Sequence, residues 1–279
     1  MRYALGCLLA LTVAVNAGAQ DVATRSIEEL NLSYVYAPIF GTGIYHAGAE
    51  QTTVLKIPAN GYLLNQSEDA EIFWLLPVTF GVRRAAIEGV IDDVLEGELH
   101  DMTFMPGVAR RFEPAARWQL SASAQLGVAH DFTLNTSRTL YTSALRATHW
   151  WLQGERRWTW GSRVRLAGQN KLVEGKRQGF GLLETGIEWD TPTDYQLFGE
   201  PLHVSIYGIA QYFIQHTGIK GVEGEPIGSR NLYNLGFSLG WAEPVEVLGV
   251  PVDRVGMTFI GGDDVRALSF NLGFPLASD

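Results

Sequence analysis

The residues able to do chemistry in this chain are mostly charged groups set at alternate positions among apolar ones. Arg83, Arg111, Arg163, Arg165, Arg254 and Arg266, with Asp101, Glu184 and Glu188 of opposite sign, are read as the polar-face charges of such segments. Two chemistries suit that set. A charged constriction would select small anionic solutes, because rings of like charge set pore selectivity. A network of ion pairs and hydrogen bonds would instead fill a narrow interior, and this is the expectation. Acidic pairs at Asp92-Asp93 and Asp263-Asp264, with His130-Asp131, raise a third possibility, a rim site that activates water for hydrolysis. Aspartate is also an ordinary turn former, so no enzyme is expected and no catalytic residue is assigned. The six histidines, at 46, 100, 130, 149, 203 and 216, show no ligand spacing, so neither a metal nor a cofactor is expected.

These charges need elements to position them, and the sequence gives one pattern almost throughout. From Val265 to Leu276, Leu268, Phe270, Leu272 and Phe274 alternate with Ala267, Ser269, Asn271 and Gly273. A period of two is that of an extended strand. The weaker face is small, polar and nearly uncharged, which suits a crowded interior better than bulk water. The aromatic-aliphatic face suits lipid, and lipid-facing and lumen-facing residues alternate in this way in a transmembrane β-barrel. The end of this segment is similar to the insertion signal of bacterial outer-membrane proteins, with Phe274 outward, although Pro275 to Asp279 follow it.

The same alternation recurs at 30–37, 72–83, 100–112, 117–130, 138–151, 157–169, 179–190, 202–215, 231–242 and 253–261, and 52–64 is extended but less regular, interrupted by Pro58. Phe40 to Gln51 is Gly-rich and reads as a loop. The fold class is therefore all-β: a closed transmembrane antiparallel β-barrel of about 12 strands. Most segments reach ten residues or more, against about 9–11 for a tilted membrane strand and about 5–6 in soluble sheets. A soluble sandwich or lipocalin-like barrel would turn the apolar face inward and use shorter strands. The connections 84–99 and 216–230 are long and fall at one end; the turns 113–116 and 152–156 are tight and fall at the other. Trp118, Trp151, Trp158, Trp189 and Trp241 cluster near strand ends, where interfacial girdles belong.

Residues 1–19 read as a removed N-terminal signal peptide, with Arg2, an apolar run from Ala4 to Val15 and small residues at Ala17-Gly18-Ala19. Residues 20–29 form a short periplasmic lead-in and 30–279 the barrel domain. The only cysteine, Cys7, falls inside the signal, so no disulfide or thiolate site is expected after export. The net charge of −9 argues against nucleic acid as a partner. Lysine is confined to Lys56, Lys171, Lys176 and Lys220, and arginine makes up the rest of the basic residues. Arginine suits enclosed ion pairs because its planar fork meets a carboxylate bidentately.

The chain resembles the solitary outer-membrane autotransporter-like β-barrel family. The resemblance is carried by Leu76-Pro77-Val78-Thr79-Phe80-Gly81, by Asp101 to Val108, by Ala124-Gln125-Leu126-Gly127 and by Glu184-Thr185-Gly186. It implies a twelve-strand translocator-like barrel, here without a passenger. The localisation expected is the outer membrane of a Gram-negative bacterium, reached through the periplasm. The partners expected are the bilayer with its lipopolysaccharide, the barrel-insertion machinery and an external partner of the loops, with the chain monomeric. The function expected is structural or surface interaction; the alternative is a narrow channel for small solutes, some of them anionic.

Overall fold

The computed structural model describes residues 41–47, 50–57, 60–66, 70–83, 100–132, 135–171, 177–197, 199–214, 230–247, 250–262 and 265–277. The signal segment expected at 1–19, the lead-in expected at 20–29 and the strand expected at 30–37 lie outside them. The described strands are β1 (Thr42–Ala47), β2 (Glu50–Ile57), β3 (Asn60–Gln66), β4 (Ala70–Leu75), β5 (Val78–Arg83), β6 (Asp101–Phe104), β7 (Gly107–Ala115) and β8 (Trp118–Asp131). They continue as β9 (Thr136–Gln153), β10 (Arg156–Lys171), β11 (Arg177–Leu197), β12 (Glu200–Phe213), β13 (Asn231–Val247), β14 (Val250–Gly261) and β15 (Val265–Asn271).

Fifteen segments make a closed ring of twelve antiparallel strands, because three strands are interrupted. β2 continues as β3, β4 as β5 and β6 as β7, and a proline stands at each gap: Pro58, Pro77 and Pro106. Proline has no amide hydrogen to give to a ladder. The three gaps lie side by side, since Ile57 pairs with Val78 and Val78 with Phe104. The backbone groups freed there are partly reused: the Met105 amide donates to the Pro77 carbonyl and the Leu126 amide to the Pro106 carbonyl. β8 spans this gap, pairing with β7 along one half and with β6 along the other.

The ring closes between β15 and β1, where Thr42 to Ala47 pair with Phe270 to Val265. This corrects the reading of Phe40 to Gln51 as a loop. Its glycines hid a strand that needs one of them: a Cβ on Gly43 would run into the Leu268 carbonyl and stand 2.8 Å from Ser269 Cα. The strand expected over Val265 to Leu276 also stops early, at Asn271.

Outward residues are those the alternation singled out, among them Leu126, Val128, Leu145, Leu166, Tyr233, Leu235 and Phe259, all exposed. At the tight-turn end they meet an aromatic girdle. Trp118 stacks on His149 at 4.6 Å, Trp151 lies parallel to Trp158 at 6.2 Å, and the Arg156 guanidinium covers Trp189 at 5.7 Å. Amphipathic rings and long cations of this kind belong where hydrocarbon meets headgroups. The long connections 84–99 and 215–229 join strands at the opposite end, as the alternating direction of the strands requires.

Candidate functional site

The candidate site is the interior of the barrel, which falls into three levels. Nearest the long connections is an apolar layer. Tyr45, Val54, Met105, Ala129, Leu140, Ala167, Phe180, Leu182, Phe213, Leu232, Ile260 and Ala267 form one contiguous buried cluster drawn from strands all round the ring. Leu182 retains no accessible surface and Leu140 and Leu232 only 1%. Side chains lining a water-filled pore would be wetted, and these are dry. Burying such groups against one another is the ordinary hydrophobic stabilisation of a core, roughly 1.5–3 kcal/mol for each large side chain.

Below it lies a cationic level centred on Glu184. Arg163 donates to Glu184 from Nε at 2.5 Å and from Nη2 at 3.0 Å, a bidentate fork from neighbouring positions on β10 and β11. Gln211 Nε2 donates to the same carboxylate at 2.9 Å, and Arg165 Nη2 stands 4.0 Å from it. Glu184 is 2% exposed. Lys56 lies within the electrostatic reach of Arg163 and Arg165, and Arg146 within that of Arg165. Glu184 thus stands within a group of cations.

The third level, toward the tight turns, is built on Arg254. Its guanidinium donates from Nη1 to Glu188 at 2.6 Å and to Ser205 Oγ at 3.1 Å, and from Nη2 to Asp190 at 3.0 Å. His203 Nδ1 lies 3.0 Å from the other Asp190 oxygen, and Ser205 Oγ lies 3.0 Å from Ser238 Oγ. Glu188 and Asp190 are side by side on one face of β11 because residues two apart in a strand point the same way. One arginine thus bridges two buried carboxylates, giving each a charged hydrogen-bond partner, the condition under which such groups are tolerated.

Between these two polar levels lies the segment after β15. The chain leaves the wall at Gly273, whose φ of +123° is open to glycine and strained for other residues. Phe274 and Leu276 then enter the lumen, 2% and 0% exposed. Phe274 packs on Tyr207 with ring centroids 5.5 Å apart, and Leu276 covers Gly161, where a Cβ would stand 2.6 Å from Leu276 Cβ. Arg163 Nη1 donates to the Pro275 carbonyl at 3.5 Å. Phe274 was expected outward as the last member of an alternating row. It faces inward because Gly273 reverses the chain and Pro275 offers no amide to continue the ladder.

The charges singled out in the sequence therefore divide. Arg163, Arg165 and Glu184 come together, and so do Glu188 and Arg254. Arg111 faces inward in another part of the ring, 3.5 Å from Glu71 and over the Phe73 ring at 5.0 Å. Asp101 also faces inward, since a Cβ on the neighbouring Gly81 would meet its carboxylate. The side chain of Arg83 lies outside the described residues. Arg266 is exposed on the outward face, opposite His46 and on the same side of β15 as Leu268. That is a correction, and parity alone required it: Arg266 and Leu268 are two apart. Parity would likewise have found Arg138 and Arg146, both buried and inward on β9, and Asp190. Parity also places Tyr207 inward, on the face of Ser205 and Gln211, but nothing in the sequence pointed to the inward tail.

Of the rim residues, Asp92-Asp93 and Asp263-Asp264 lie outside the described residues. His130 and Asp131 point to opposite faces of β8, with Asp131 buried and His130 2.9 Å from Ser137 Oγ. Among the described residues no group of histidines, cysteines and carboxylates could hold a metal ion.

No protein-family model matches the chain, and no curated protein matches it. Solved structures do. The chain is similar to the β domain of the Bordetella autotransporter Brka, at 11% identity and a TM-score of 0.52, over 82% of this chain and 93% of that one. Weaker similarities are to LpxR from Salmonella typhimurium (8% identity, TM-score 0.44, 82% of this chain and 90% of that one) and to the outer-membrane channel DcaP of Acinetobacter baumannii (11%, 0.35, 81% and 64%). The first likeness shows the fold, that of an outer-membrane β-barrel.

Proposed function

We propose that the chain is a sealed outer-membrane scaffold. It sits in the outer-membrane bilayer as a monomer and displays its long connections, 84–99 and 215–229, to an external partner. The observation that carries this reading is the dry apolar layer, from Tyr45 and Ala267 at the seam to Leu140 on β9. A conducting barrel keeps a wetted path from one mouth to the other, and a contiguous level of buried apolar side chains supports a closed one. The Arg163–Glu184 and Arg254–Glu188–Asp190 networks then serve as packing that satisfies its own charges. The outward apolar belt and the tryptophan girdle support residence in a bilayer, with lipopolysaccharide and phospholipid as its contacts and the barrel-insertion machinery as its route there.

The grouping of Lys56, Arg146, Arg163 and Arg165 favours a second reading, a narrow path for small anions. Liposome swelling separates the two. Vesicles carrying the folded protein should swell no faster in small sugars, amino acids or phosphate than empty vesicles. Swelling that depends on the sign of the solute's charge would favour the channel.

A further inference from the structure

The alternation of apolar residues in the last segment outlasts the strand that it describes. Leu268 and Phe270 use it, but β15 ends at Asn271, and Phe274 lies on the opposite side from the one its parity assigns. The tail ends in a site made by three features of two distant strands: the bare backbone of Gly161 and the guanidinium of Arg163 on β10, and the ring of Tyr207 on β12. These strands stand five and three places along the ring from β15. The tail therefore ties the closing strand to the far wall through the lumen.

The seam it leaves is short. β15 and β1 share six ladder positions, whereas β9 and β10 share sixteen. Asn271, the last residue of β15, reinforces the tie by donating to the Tyr207 hydroxyl and, at 2.6 Å, to Thr258 Oγ1. Tyr207 thus holds the strand end and the tail together. Gly161 matters as a notch: any side chain there would take the volume that Leu276 fills.

We propose that Gly273–Ala277 is a latch, seated in a receptor formed by Gly161, Arg163 and Tyr207, that holds the β1–β15 seam closed. The receptor exists only when β10 and β12 stand in the wall, so the latch seats after the ring has formed. Before that the tail is free to continue as an extended segment with Phe274 on the row of Leu268 and Phe270, which accounts for an alternation that the finished barrel does not use.

The test compares the full chain, folded into detergent micelles, with Gly161→Val, which fills the notch, and with Leu276→Ala, which leaves the wall intact. Release of the tail is read by thiol labelling of Ala277→Cys in a Cys7→Ser background. Seam opening is read by hydrogen exchange of the amides of β1 and β15. Both variants should speed labelling and raise seam exchange on the order of tenfold or more, leaving β9–β10 exchange unchanged, as for a local opening. Tail release without faster seam exchange would overturn the latch. So would a tail that stays protected in Gly161→Val. If Gly161→Val fails to fold, Leu276→Ala decides alone by the same two readings.

Discussion

The ring of Tyr207 lies flat across Gly236. A Cβ on that glycine would run into the ring carbons and the hydroxyl, so the inward aromatic of β12 is laid over its neighbour on β13 and reaches β14, where its hydroxyl meets Thr258 at 2.5 Å. An aromatic covering a glycine of the adjacent strand restores the packing that the missing side chain would lack and pins the register. Gly236→Ala should therefore destabilise the barrel by about 1–3 kcal/mol through overpacking. The heat-modifiable gel transition in detergent measures it. Combining Gly236→Ala with Tyr207→Ala should cost less than the sum of the two single changes, because the clash disappears with the ring.

Breaking the Arg163–Glu184 fork should be expensive. Either Arg163→Ala or Glu184→Gln leaves a charge without its bidentate partner in a place with little water, at a cost of about 3–5 kcal/mol. The expected outcome is a markedly lower unfolding transition with no new conductance. A gain of current without loss of stability would mean that the pair gates a path.

Arg254 holds two carboxylates, so its loss should cost at least as much as loss of either acid. In Arg254→Ala, Glu188 and Asp190 stand side by side with their main cation gone, while His203 remains beside Asp190. Replacing Asp190 by Asn removes one charge and leaves the Arg254–Glu188 pair. Urea titration of the two variants in micelles should rank Arg254→Ala as the less stable.

Arg266 and Arg165 offer a contrast between residue type and place. Both were expected to line the interior. Arg266 is exposed on the outward face opposite His46, and Arg165 is enclosed near Glu184. Arg266→Gln should leave the gel transition where it is, and Arg165→Gln should lower it.

Much of this arrangement was legible in the sequence, because a period of two leaves only one choice of face. Once Leu183 and Ile187 are outward, Glu184 and Glu188 must be inward. The same parity places Arg163 and Arg254 beside them after the ring closes. What parity does not carry is where a strand begins or ends. β1 was hidden by the glycines in its stretch of sequence, residues of weak strand preference, of which Gly43 is placed there for close approach. The end of β15 was hidden by the opposite fault, an alternation that runs on past the last ladder pair. The inward tail depends on contacts with β10 and β12, more than sixty residues away in sequence for Tyr207 and more than a hundred for Gly161, and no local pattern reports such contacts.

Ion flow through the folded protein in a planar bilayer tests the central claim, a barrel sealed by its apolar layer, most directly. Insertion confirmed by the heat-modifiable band, with no conductance steps above the bare membrane in molar salt, is the expected result. Stable steps that change size or ion preference when Arg163 or Glu184 is substituted would contradict it, and would make the interior a pore.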